Sequence, residues 1–277
     1  MRKRKSLIQQ GTSQQEIDVY NLIKRLLPNK LVLKNDRNIL KGKELDIVVP
    51  SLKLAIEFNG LFFHCDAKKS DPMYHLHKSI ECERQGYRLI QIMSDEWEKK
   101  KPLCIDLIKK AIGSFEHLQA DKCEIRELNE REGKVFFDNN HLLGNDKKST
   151  LYIGLLYENN ILFACSFKKG QNNWVLTRFT DRKGYRVING LDTCIKFFLK
   201  DHKKPLTAAI DRRLYSGNEL KTIGFKEVQP SNPNITLTKD FKKRIPIDNL
   251  KRYKESDLSK AGYYKVFDCG ERRFVLE

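Results

Sequence analysis

The chain reads as an α/β (α+β) protein in two parts: a mixed sheet flanked by helices, followed by a second α/β unit. Three observations predict this. Residues 13–112 contain helix and strand patterns in the order α-β-β-β-α-β-α. A polar stretch with Gly113 and Ser114, residues 113–122, then interrupts the pattern. A second series of strands and helices fills residues 124–277. The 277 residues, 40% of them hydrophobic, suffice for two packed cores of ordinary size.

Residues 1–12 form a basic arm. Residues 13–27 read as a helix: Ser13 and Glu16 have capping-box spacing, and Ile17, Tyr20, Ile23 and Leu27 share one face. Pro28 stops it, since its ring cannot continue the hydrogen-bond ladder. Strands follow at 31–34, 45–49 and 54–58, the last two joined by a Pro50-Ser51 turn. Asp71-Pro72 opens a helix to residue 85, with Gly86 as its C-cap. Residues 88–93 form a fourth strand and 102–112 a further amphipathic helix. In the second part, 130–139 reads as a helix, and strands 151–158 and 161–168 flank an Asn159-Asn160 hairpin turn. Residues 174–179 and 206–211 are strands, 190–201 and 218–223 helices, and the final GYYKVFDCGERRFVL reads as a hairpin.

Charge and cysteine usage narrow the function classes. Net charge is +17, and the MRKRK tail accounts for only four of the 53 basic residues, so the excess is spread along the chain. Such a balance fits a polyanionic partner, nucleic acid first among them. Cys65, Cys82, Cys104, Cys123, Cys165, Cys194 and Cys269 include no CxxC pair, which argues against a zinc ribbon and for reduced thiols in a cytoplasm. No leader pattern follows MRKRK, and no apolar run approaches the roughly 20 residues of a membrane span.

The chemistry-bearing segment is ELDIVVPSLKLAIEFNGLFFH, residues 44–64. Asp46 and Glu57 each interrupt an apolar strand. A carboxylate there costs several kcal/mol unless paired or bound to a metal, so two on neighbouring strands point to a shared cation. Glu16 is a third acid, with the capping box as its local alternative. His64 follows Leu61-Phe62-Phe63 and has the titration range for proton transfer, with Asp66 two residues on. Asn59, two after Glu57, could orient water or phosphate but not act as a base. His75 and His77 point to different helix faces, and Asn140-His141 reads as a turn. Arg178, Arg186, Arg212 and Arg213, with Tyr215, fit phosphate contact and base stacking, or a solvated basic surface.

An acid on the first helix, LD in one strand and ExN in the next resemble the PD-(D/E)xK nuclease superfamily. IEFNGLFFH followed by YHLHKSIECERQGYRLIQIMSDEW is similar to phage homing endonucleases related to the very-short-patch repair endonuclease. Asn59 stands where that superfamily places its lysine. The resemblance covers about residues 12–112. It implies a metal-dependent endonuclease that hydrolyses double-stranded DNA, with Asp46 and Glu57 on Mg²⁺ or Mn²⁺, His64 as proton-transfer group, and Glu16 and Asp66 assisting. FFDNNHLLG, LTRFTDRKGYRVINGLDTCIKFFL and AAIDRRLYSGNELKTIGF resemble a GNAT-like domain. Its RVINGL turn has a single glycine where the enzymes carry two or more. That resemblance therefore implies a DNA-recognition or docking module, over residues 122–277, that does not take acetyl-CoA. The rival readings are a non-catalytic DNA-binding regulator and an acyltransferase carried by residues 122–277.

Overall fold

The structure, a computed structural model, describes residues 13–68, 71–250 and 253–277. The expected basic arm lies outside them. Helix α1 (Gln14–Leu26) starts at the predicted capping box: Ser13 Oγ accepts the Glu16 N–H at 3.3 Å, and Glu16 Oε1 accepts the Ser13 N–H at 3.1 Å. β1 (Leu33–Leu40), β2 (Lys43–Val49) and β3 (Leu54–Asn59) form an antiparallel meander. Helix α2 (Tyr74–Arg84) then crosses over to β4 (Arg88–Met93), which lies parallel to β3. Helix α3 (Ser94–Ala111) begins eight residues before the expected start. It kinks at Lys100, where φ is −133°, two residues before Pro102.

The stretch expected to separate the two parts instead pairs. β5 (Glu116–Gln119) runs parallel to β10 (Tyr185–Ile188). A seven-stranded sheet dominates the second part. Its strands, in chain order, are β6 (Glu124–Leu128), β7 (Leu151–Tyr157), β8 (Asn160–Lys169), β9 (Trp174–Asp181), β11 (Leu206–Asp211), β12 (Lys226–Val228) and β16 (Glu271–Leu276). Their order across the sheet is β12-β16-β11-β9-β8-β7-β6. Helices α4 (Glu130–Asn140), α5 (Gly190–Asp201) and α6 (Asn218–Thr222) complete this unit. The β7–β8 turn falls on Glu158 and Asn159, at φ 49° and 62°, one residue earlier than expected. Two successive positive φ values suit the twist of a two-residue hairpin.

The expected C-terminal hairpin does not form. β13 (Ile235–Thr238), β14 (Ile245–Pro246) and β15 (Tyr264–Phe267) make a small sheet of their own, with α7 (Glu255–Lys260) preceding β15. After β15 the chain turns at Gly270, φ 67°, and β16 enters the large sheet between β12 and β11. Only glycine fits that turn, since a Cβ would lie 2.5 Å from the Asn232 carbonyl oxygen.

The cores of the two parts meet. Leu142 and Leu214, from the second part, pack with Ile47, Ile56, Ile90 and Ile108 of the first. Arg213 is buried, and its guanidinium binds Glu96 at 2.9 Å and Asp211 at 2.7 Å. Arg244 reaches Asp95 and Glu96 from the small sheet. The mixed α/β class therefore stands. Among the described residues no helix is long and apolar enough to cross a membrane.

Candidate functional site

Asp46, Glu57 and Glu16 do come near one another, because β2 and β3 are paired and α1 packs on both. Their surroundings differ from the expected cation site. Glu57, 2% exposed, is ion-paired with Lys78, a buried α2 residue with no sequence signal to single it out. Burial works against the Lys78 charge, but Glu57 outweighs it and raises the lysine's pKa. Asp46 accepts the Phe58 N–H at 2.8 Å. Burial, then the charge of Glu57, pushes its carboxyl up to about 8. At neutral pH the ammonium of Lys78 thus occupies the counter-ion role and Asp46 holds its proton. Among the described residues no group of three or more His, Cys, Asp or Glu is arranged to hold a metal ion. The magnesium or manganese site is corrected accordingly.

His64 Nδ1 lies 3.2 Å from His75 Nε2, with the rings 4.8 Å apart. His75 Nδ1 lies 2.8 Å from Gln91 Oε1, which also accepts from Asn59 Nδ2 at 3.1 Å. The amide orientation of Gln91 follows from its Nε2, which donates to the His75 carbonyl at 3.0 Å. A neutral His75 therefore carries its proton on Nδ1 and accepts at Nε2 from His64 Nδ1–H. Asn59 is fixed inside this network, buried rather than facing a ligand. Asp66 braces β15: its Oδ1 accepts the Lys265 N–H at 3.1 Å and its own N–H donates to the Lys265 carbonyl.

The five expected DNA contacts separate. Arg213 is interior, and Arg212 pairs with Glu83 at 2.7 Å. Both bind the second part to the first. Arg178, Arg186 and Tyr215 instead line one cavity of about 490 Å³.

This cavity follows from the sheet. β9 and β11 pair in parallel only at Leu206–Trp174, Thr207–Val175 and Ala208–Leu176. Beyond these, β9 stays with β8 as far as Asp181 and β11 stays with β16 as far as Asp211, so the two strands part at their carboxyl ends. The β8–β9 register jumps between Phe167–Leu176 and Ser166–Arg178, which leaves Thr177 as an extra residue on β9. Helix α5 begins beside the opening. Its N-cap Asn189 is left-handed, φ 62°, and gives no side-chain cap, and residues 189–192 line the opening. Gly190 seats the helix, since a Cβ there would come within 3.1 Å of the Phe163 ring. Helix α3 closes the other wall with Leu103, Asp106 and Lys110.

The cavity groups titrate unusually. Burial pushes Asp181 up to about 6, against the lowering charges of Lys110 and Arg186, and its carboxylate accepts the Val187 N–H at 2.7 Å. Burial raises the Tyr215 hydroxyl, then Asp211 adds to it. His141 stacks on Tyr215 at 5.8 Å, and burial followed by the charge of Arg178 keeps it neutral. Arg88, Asp181 and Glu219 carry no signal in the sequence, since they lie on separate elements and no motif joins them.

No family model matches the chain, and no curated protein sequence matches it. Solved structures similar to it are acetyltransferases. The ribosomal-protein-S18-alanine N-acetyltransferase of Escherichia coli is 10% identical at a TM-score of 0.35, over 56% of this chain and 92% of that one. A GNAT family acetyltransferase from Elizabethkingia anophelis with acetyl-CoA bound is 14% identical at 0.35, over 57% and 99%. A structure described as a streptothricin acetyltransferase of Bacillus anthracis in complex with acetyl coenzyme A is 11% identical at 0.34, over 56% and 98%. A likeness at these identities and scores says nothing of this chain's substrate.

These findings correct four expectations. Nothing among these structures points to a PD-(D/E)xK endonuclease, so neither the phage homing-endonuclease identification nor the endodeoxyribonuclease activity is retained. The DNA partner has no support from them. The expected exclusion of acetyl-CoA is withdrawn, because two of them are acetyl-CoA complexes.

Proposed function

We propose that the protein is an acyltransferase of the GNAT type, working in the cleft where β9 and β11 part. The observation that carries this reading is the parting itself. It opens a 490 Å³ cavity at the carboxyl ends of two parallel strands, beside the uncapped N-terminus of α5. Ligands of open α/β sheets bind in such crevices. A thioester laid along the Thr177 bulge has unladdered backbone beside its carbonyl and helix N–H groups for its phosphates.

The chemistry needs a base and an acid, and the cleft supplies both. The lone pair of an acceptor amine attacks the thioester carbonyl carbon, forming the C–N bond. Asp181, ionised above pH 6, takes the amine proton. The C–S bond then breaks, and Tyr215, whose raised pKa keeps it protonated, returns a proton to the thiolate. The test is calorimetric titration of the full chain with acetyl-CoA, joined to thiol release over a panel of amine acceptors. Asp181→Asn should slow release by roughly 100-fold while acetyl-CoA affinity holds. Absence of acetyl-CoA binding ends the reading.

A further inference from the structure

The charges around the cleft do not balance. Its acids are each answered within the protein: Asp106 by Lys110 at 2.9 Å, Asp192 by Lys196 at 2.6 Å, Asp211 by Arg213 at 2.7 Å. Glu219 and Asp181 share Arg186. Two cations lining the same cavity lack a directly paired acid, although the charge of Glu219, held by Arg186, also acts on Arg88. Arg88, from β4 of the first part, donates from Nη2 to the Leu214 carbonyl at 2.6 Å. Arg178, just past the β9 bulge, donates from Nη1 to the Thr177 carbonyl at 2.7 Å. Neither makes an ion pair among the described residues, and the buried Nε of each has no hydrogen-bond partner.

A guanidinium carries five N–H donors. The buried Nε–H of each goes unmet, and a planar or tetrahedral oxyanion can take it together with a neighbouring Nη–H, since it accepts paired N–H groups. Both charges act on the hydroxyl of Tyr215, which lines the same cavity.

We propose that Arg88 and Arg178 form an oxyanion site within the cleft, which holds the carboxylate or phosphate group of a small ligand. The first part of the chain thereby supplies one half of a binding site whose other half lies on the large sheet. Burial lowers the pKa of Arg88, and a bound anion reverses that penalty. The site stands independently of acyl transfer, so each can fail alone.

The experiment is calorimetric titration of the full chain with inorganic phosphate and, separately, malonate. Saturable binding of at least one is expected, weakened roughly tenfold or more in Arg88→Met and in Arg178→Met. Arg126→Met, a surface arginine paired with Glu132, should bind as the wild type does. Should the Met variants fail to fold, phenylglyoxal labelling of the native protein replaces them. Phosphate must then slow modification of Arg88 and Arg178, read by peptide mass, and leave Arg126 unaffected. Competition with coenzyme A tells the source: displacement assigns the oxyanion to the thioester carrier, simultaneous binding to the acceptor, and either supports the site. No saturable binding of either probe, wild-type affinity in both Met variants, or no protection overturns it. Phosphate binding without acetyl-CoA binding would keep this site and remove the acyltransferase reading.

Discussion

At the residue scale, the buried Lys78–Glu57 pair shows how a polar residue survives in an apolar strand. Removing one partner leaves an uncompensated buried charge, so Lys78→Met should cost about 3–5 kcal/mol in chemical denaturation. A loss under about 1 kcal/mol would mean that Glu57 is satisfied without the lysine. Asp46 gives a pH signature. Its folded pKa of about 8 lies above the ordinary 3.8, so the folded state binds the extra proton. That contribution is complete below about pH 4 and is lost progressively as pH rises through 8. Asp46→Asn keeps an acceptor for the Phe58 N–H and removes the titration. The variant should gain stability relative to wild type between pH 5 and 8, and parallel stability curves for the two would disprove the raised pKa.

At the element scale, α4 is held against the large sheet by close approach at Gly133. A Cβ there would lie 2.3 Å from the Tyr152 ring, and Tyr152 is itself buried. Alanine improves helix propensity by about 1 kcal/mol. Overpacking typically costs 1–3 kcal/mol, so the steric effect should win and Gly133→Ala should lower the melting temperature. An unchanged or higher melting temperature would show that α4 can slide off Tyr152 at little cost. The element boundaries themselves were largely legible. The capping spacing of Ser13 and Glu16 marked α1, and the periodic apolar face marked α5 over its observed span. What escaped were short polar strands such as β5 and β10, which exist through each other and carry little pattern of their own.

At the scale of the whole molecule, Arg213, Glu96, Asp211 and Arg244 form one charged core between the two parts. Burial opposes the Glu96 charge, yet Arg213 and Arg244 outweigh it and bring its carboxyl down to about 2. That stabilisation is present above about pH 4.5 and is lost as pH falls towards 2. Arg213→Met should cost about 3–5 kcal/mol and split thermal unfolding into two transitions, read by calorimetry. A single unshifted transition would show that the apolar contact at Leu142 and Leu214 suffices to join the parts.

Strands, helices and the mixed class could be read from the chain because they follow local periodicity and capping. So could the proximity of Asp46 to Glu57, since the short connection over residues 50–53, a 3-10 turn opened by Pro50, leaves neighbouring strands little choice of partner. The partner of that acid pair could not, because Lys78 arrives on a helix packed from outside the sheet. The fate of the arginines was likewise undetermined. Arg212 and Arg213 follow one strand and look alike as letters, yet one ends against Glu83 and the other is buried against Glu96. The cleft depends on where β9 and β11 cease to pair and on α3 closing the far wall. The β9–β11 pairs, from Trp174–Leu206 onward, join residues more than 30 positions apart, and α3 is further still along the chain, so the cleft is set by how whole elements pack rather than by the order of neighbouring residues.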